Sequence, residues 1–176
     1  MKKSPAQATA ISNTGPLIHL AKANALHILK ALYRTVLIPN EVKTETVDKG
    51  KEKGYSDALQ IEKAIQQGWI KTIPIQLNPD FQKAAKTAGL KNAEAAVIQY
   101  AYQNHLTALL DDEPARIFAK TLGITIRGTL GILIQATKNS ILNHKEAIQI
   151  LDELTETMYI TADLYKTARK EIDKLT

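Results

Sequence analysis

Three consecutive carboxylates, Asp111, Asp112 and Glu113, follow the apolar segment Thr107 to Leu110 and precede a helix that the sequence opens at Pro114. Open α/β sheets place ligands beyond the carboxyl ends of their strands, so acids massed at that edge suit metal binding or proton transfer. The plainer account is structural: Asp is a preferred N-cap, and acids complement the positive end of a helix dipole. A cap uses one carboxylate, however, and three in a row repel one another unless cations offset them. Arg116 is near enough in sequence to supply part of that charge.

Two further acids lie far away along the chain. Glu94 falls in the first turn of an expected helix and shares a stripe with Ile98 and Ala101, while Gln99 and Gln103 mark the wet side. That spacing turns Glu94 toward the protein, although dipole stabilisation alone also accounts for an acid there. Glu45 stands four residues before Lys49, the pattern of a solvated ion pair worth about a few tenths of a kcal/mol. Glu41, one turn back, adds a like charge that calls for a cation nearby. Ser12-Asn13-Thr14-Gly15-Pro16 closes the first apolar run, and its side chains suit helix capping as well as contact with water, metal or phosphate. The Arg127-Gly128-Thr129-Leu130-Gly131 turn repeats the idea, with Thr129 as the cap and exposed amides as a phosphate perch.

Other chemistries drop out. His19, His27, His105 and His144 lack the paired spacing of a zinc site, and with no cysteine in the chain Cys-based zinc or iron–sulfur centres are excluded. Neither G-x-G-x-x-G nor G-x-x-x-x-G-K-[ST] occurs, and no Asp ends the first strand, as a phosphoaspartyl enzyme needs.

The elements that must position these residues alternate along the chain. Thr9 to Ser12 reads as a strand, followed by helical spacing of Leu17, Leu20, Leu26, Leu29 and Leu32 over Pro16 to Ala23 and Ala25 to Tyr33. A second strand, Thr35 to Ile38, stops at Pro39 and leads into a short helix from Asn40 to about Val47, then a solvated loop Lys49-Gly50-Lys51-Glu52-Lys53-Gly54. Helices over 56–67, 79–88, 92–104, 114–122, 129–138, 145–158 and 163–175 and strands over 69–75, 107–110 and 124–127 complete the pattern. Short strands alternating with helices imply parallel pairing through right-handed crossovers, hence an α/β three-layer sandwich with a parallel sheet of about five strands flanked by helices.

At 176 residues the chain is long enough for one core without a staple. Lys and Arg number 23 against 18 Asp and Glu, and the resulting +5 agrees with a polyanionic partner and equally with an ordinary soluble surface. No acid precedes Glu41, so the first forty residues are purely cationic. Nothing resembles a signal peptide, and no apolar run nears the ~20 residues of a spanning helix. A cytoplasmic protein with no membrane contact is the expectation. A flexible basic tail over 1–7, an α/β domain over 8–142 and a C-terminal helical extension over 143–176 packed on the same domain are the expected divisions.

Ile11-Ser12-Asn13-Thr14-Gly15-Pro16-Leu17-Ile18, the acids gathered from separate elements and the Gly128-Thr129-Leu130-Gly131 turn together resemble the PIN-domain ribonucleases. The likeness is greatest to the branch that opens with Ser-Asn/Asp-Thr-Ser/Gly-Pro-Leu-Ile, often regarded as the toxin half of a prokaryotic toxin–antitoxin pair, and it runs from about Ala10 to about Leu164. The resemblance implies a divalent-metal-dependent endoribonuclease using Mg²⁺ or Mn²⁺. The family's metal-holding positions correspond to Asn13, Glu45, Glu94, Asp111 and Asp112, with Glu113 an alternative to Asp112 for the outermost acid. The third position is commonly Asp in the wider family and Glu in this branch, which Glu94 matches. Asn13 departs from the family's Asp, keeping one oxygen ligand but losing a charge, which weakens metal binding.

On this resemblance Glu94, Asp111 and Asp112 form the metal floor, and Glu45 binds or orients a second ion or its water. Asn13 with Thr14 holds the scissile phosphate or a metal-bound water, while Thr129 and Arg116 touch the substrate, with Lys22 and Arg127 as weaker contacts. RNA, a small protein antitoxin and a second copy in a homodimer are the implied partners. A PIN-like module that only binds RNA or protein, its metal affinity lowered by Asn13, is the alternative, and a DNA-directed nuclease a third.

Overall fold

The computed structural model describes residues 8–175; the expected tail over 1–7 lies outside them. β-Branched and apolar residues form five short strands, β1 (Thr9–Ser12), β2 (Thr35–Pro39), β3 (Ile70–Ile73), β4 (Thr107–Leu109) and β5 (Ile126–Arg127). They pair in the order β3-β2-β1-β4-β5, and each pairing is parallel. The strand period of two shows in the burial. Val36 and Ile38 of β2 and Leu109 of β4 join one apolar cluster, while Ile11 of β1 and Ala108 of β4 join the other.

Helices cover both faces, as parallel crossovers require. On one side lie α1 (Thr14–Lys22), α2 (His27–Leu32), α5 (Ser56–Gln66), α9 (Thr129–Lys138), α10 (His144–Thr157) and α11 (Ala162–Lys174), which share a core built around Leu17, Leu29, Ile61, Leu133, Leu151 and Ile172. On the other lie α6 (Pro79–Thr87), α7 (Asn92–Asn104) and α8 (Glu113–Thr121), packed through Ala85, Ile98 and Ala115. The result is the three-layer α/β sandwich. Among the described residues no helix is long and apolar enough to cross a membrane.

Several elements differ from expectation. The helix after β2 does not end near Val47. It runs as α3 (Asn40–Lys43), a π-helical turn over Thr44–Asp48 and α4 (Lys49–Glu52), so the charged stretch expected as a solvated loop is largely helical. Gly50 makes this possible: it is buried against α5, where a Cβ would come 2.8 Å from Ala58 Cβ. Strands β3 and β5 are shorter than their apolar runs because each ladder reaches only as far as its partner, β2 over Val36 to Pro39 and β4 over Ala108 and Leu109. Gln99, expected on the wet side of α7, is 4 % exposed; its side chain accepts from the Asn78 N–H at 2.8 Å and donates to the Gln76 carbonyl at 2.9 Å. A buried amide is tolerated when both ends are satisfied in this way.

Candidate active site

Because the sheet is parallel, β1, β2, β4 and β5 all end at one edge. The chain passes from β1 outward to β2 and β3, then returns to the other flank of β1 for β4, so the winding reverses between β1 and β4. Such switch points open a crevice beyond the strand ends. Here the Asn13 N–H donates to the Leu109 carbonyl at 3.0 Å, which ties the two strand ends together and sets Asn13 beside Asp111. A cleft of ≈ 400 Å³ opens at this point. Asn13, Thr14, Gly15 and His19 line it from β1 and α1, Glu45 from the π-helical turn, and Lys91, Ala93 and Glu94 from the start of α7. Asp111 and Asp112 enter after β4, and Met158 and Tyr159 from the segment joining α10 to α11.

Asp111 is the anchored acid. Its Oδ1 accepts from the Thr129 N–H at 2.7 Å, and its Oδ2 accepts from Thr129 Oγ1 at 2.7 Å and from His19 Nδ1 at 2.8 Å. Burial works to raise this carboxyl, but the His19 and Thr129 hydrogen bonds outweigh it and hold Asp111 below the ordinary carboxylate range. Gly15 is part of the same packing, since a Cβ there would lie 3.2 Å from Asp111 Oδ2.

Glu94 behaves oppositely. Burial pushes it above the ordinary range, the Lys91 N–H that donates to Oε2 at 2.8 Å opposes the rise, and the charges of Asp112 and Glu45 add to it. Asp112 caps α8 by accepting from the Ala115 N–H at 3.1 Å and lines the cleft as well, so the capping and functional accounts hold together at one residue. Glu113 turns away, its side chain 71 % exposed and 3.8 Å from Arg116 Nε, so that of the two acids Asp112 is the one that lines the cleft.

Glu45 does not pair with Lys49. Its Oε2 accepts from Thr14 Oγ1 at 2.8 Å across the cleft. The π-helical register brings residues five apart into contact, which is why Lys43 Nζ meets Asp48 Oδ1 at 3.0 Å on the same turn. Asn13 is buried at the N-cap of α1, yet its side chain makes no capping bond.

Two residues expected to touch substrate, Thr129 and Arg116, are not among those lining the cleft. Thr129 is 0 % exposed and spends its hydroxyl and amide on Asp111, so it supports the acid from behind. Arg116 does not line the cleft; its Nη1 donates to the Leu110 carbonyl at 3.5 Å, and its Nε is buried without a hydrogen-bond partner. Arg127 lies against the Tyr33 hydroxyl. The residues that sequence reasoning missed are His19, Gly15, Lys91, Met158 and Tyr159. A signal existed only for the first two, which stand four apart on the α1 face that meets Asp111.

A sequence profile described as a PIN domain matches residues 9–174. The chain belongs to the PIN-domain family. PIN domains are generally nucleases and usually use divalent metals. A solved structure of a PilT N-terminus domain protein from the hyperthermophilic archaeon Sulfolobus solfataricus P2 superposes on this PIN domain with a TM-score of 0.48. The two share 16 % identity over 73 % of this chain and 92 % of that one. No curated protein matches it.

The donor chemistry of this PIN domain fits a hard cation, because the charged donors of the cleft are the carboxylates of Glu45, Glu94, Asp111 and Asp112, joined by the Asn13 amide and the Thr14 hydroxyl, and the chain has no cysteine to offer a thiolate. Among the described residues no three His, Cys, Asp or Glu side chains stand close enough to hold one ion. A cation held here would rest on one or two carboxylates with water completing its shell, which is how Mg²⁺ is commonly held.

Proposed function

We propose that this PIN domain is a divalent-metal-dependent endoribonuclease and the toxin component of a prokaryotic toxin–antitoxin pair. The observation that carries the reading is the convergence of Glu45, Glu94, Asp111 and Asp112, with Asn13 and Thr14, on one cleft at the switch point of the sheet. Hydrolysis forms a bond between a water oxygen and phosphorus and breaks the bond from phosphorus to one ester oxygen of the RNA chain, which departs as a hydroxyl by taking a proton from solvent. Bound Mg²⁺ or Mn²⁺ supplies activation of water and stabilisation of charge on the phosphate. Glu94, whose burial raises its proton affinity above that of an ordinary carboxylate, is suited to accept the proton that the attacking water loses. Asp111, held ionised by His19 and Thr129, gives the floor of the cleft a fixed negative charge for the cation. Asp112 adds a second carboxylate from the mouth of α8, and Thr14 orients Glu45. Asn13 presents an amide toward phosphate or water.

A small protein antitoxin bringing basic side chains to this acidic cleft would silence it, and a homodimer is the assembly we expect. The test is cleavage of an end-labelled RNA in Mn²⁺ by wild type, Asp112→Asn and Glu94→Gln. Losses of roughly 10²- to 10⁴-fold are expected of Glu94→Gln if it is the general base. Equal rates in all three proteins remove the nuclease reading.

Asn13 favours a second reading, a module that binds RNA or protein without cutting. The substitution Asn13→Asp separates the two. If wild type takes up no Mn²⁺ in calorimetry and cleaves nothing while Asn13→Asp gains both properties, the second reading prevails.

A further inference from the structure

Among the described residues seven large apolar or aromatic side chains remain exposed, and three are tyrosines: Tyr55, Tyr102 and Tyr159. Tyr159 stands at the acidic cleft and Tyr55 in an adjoining recess, while Tyr102 faces a separate recess with His105 and Gly123. Tyr159 lines the cleft itself and is 89 % exposed. The backbone entering it is extended, with Met158 at φ −141° and ψ 155°. Met158 and Ile160 pack inward on the main core, so the strand-like alternation turns the ring between them outward. No hydrogen bond among the described residues uses its hydroxyl. Tyr55, 49 % exposed, stands in a second recess of ≈ 310 Å³ that shares Glu45 with the first. Lys49 and Lys53 line that recess, and Lys22 Nζ lies 5.7 Å from the Tyr55 ring centroid.

We propose that Tyr159 and Tyr55 are base-stacking platforms in the two recesses that meet at Glu45. They hold an unpaired RNA strand with its scissile phosphate over the acids and neighbouring phosphates on Lys22, Lys49, Lys53 and Lys91. The inference rests on the nuclease reading for the identity of the polymer. Exposed aromatic faces and a basic track are the two parts of a single-strand binding surface, and they act on any base because every base has a π-face. A duplex keeps its bases stacked on one another, so the geometry selects unpaired RNA. The cations flank the acids, which lets the strand approach a cleft whose own charge would repel it.

The test measures binding of a fluorescein-labelled single-stranded RNA by anisotropy in Mn²⁺, with the full chain carrying Glu94→Gln to slow cleavage. In that background Tyr159→Ala and Tyr55→Ala should each weaken binding roughly 5- to 150-fold. Tyr159→Phe should stay within about twofold, and Tyr102→Ala should change nothing, since an aromatic face is what the stacking requires. An abasic unit walked along the RNA should weaken binding to the parent at one position and have no further effect there on Tyr159→Ala, a signature that a merely structural tyrosine does not give. Affinities equal in parent, Tyr159→Ala and Tyr55→Ala overturn this inference and leave the nuclease reading standing, as does loss of binding in Tyr102→Ala of the same size. Tyrosine-dependent binding by a wild type that cleaves no RNA does the reverse.

Discussion

Asp111 and Glu94 border the same cleft, yet burial prevails at only one of them. Asp111 receives three hydrogen bonds from His19 and Thr129, whereas Glu94 receives one from Lys91 and faces two other carboxylates. The consequences for metal-free protein have opposite signs. The stabilisation from Asp111, whose folded-state value is lowered, is present above its unfolded value near pH 4 and disappears as pH falls through the folded one. Acid titration of the Asp111→Asn variant should therefore lose part of the drop in stability that wild type shows on the acid side. Glu94, raised on folding, favours the folded state only while protonated, and that contribution is lost as pH rises through its folded value. Glu94→Gln should raise the melting temperature at pH 7, with a gain of about 2–4 °C for each kcal/mol relieved, and the gain should vanish below about pH 4. Thermal scans in chelator at the two pH values check this. At Gly15 a methyl group would press on Asp111 Oδ2, so Gly15→Ala should lower RNA cleavage in Mn²⁺ while leaving far-ultraviolet circular dichroism unchanged.

The element that decides Glu45 is the π-helical turn over Thr44–Asp48. In a continued α-helix the Lys49 partner one turn on would compete for Glu45; the wider turn instead presents it to Thr14. Nothing in the local sequence announces such a turn, because its stability comes from packing against α5. The same packing gives a test at Gly50. In a solvated loop without a positive φ, or in an exposed helix, Gly→Ala is neutral or stabilising. With Ala58 Cβ 2.8 Å from the new methyl, Gly50→Ala should instead destabilise by about 1–3 kcal/mol, read from urea denaturation. Elements with strong periodicity were legible from the residues alone: α7 over Asn92–Asn104 and α9 over Thr129–Lys138 coincide with the patterns that predict them. The stretch 49–54 was not, because its lysines and glycines carry a loop-like composition and only contact with α5 makes Gly50 an asset.

For the molecule as a whole, α10 and α11 are bound into the same core as α1 and α9 through Leu151, Leu154, Ala168 and Ile172. They also deliver Met158 and Tyr159 to the cleft. Truncation after Leu142 should uncover that apolar surface and abolish the cooperative thermal transition, and a soluble, cooperatively melting fragment would refute this. Light scattering on the intact chain, at 19.4 kDa per copy, tests the proposed homodimer by returning about twice that mass.

The order of strands and helices, the parallel sheet and the identity of the acids follow from the sequence by itself, because apolar periodicity and turn chemistry are local properties of the chain. Which oxygens meet is not local. The pairing of Asp111 with His19, the turning of Thr129 behind the acid, the exclusion of Arg116 and Glu113 from the cleft and the arrival of Tyr159 from a distant linker depend on the winding reversal between β1 and β4 and on packing across the core. Side-chain type limits what each residue can do, and only the tertiary structure sets the distances at which electrostatics and hydrogen bonding choose among those possibilities.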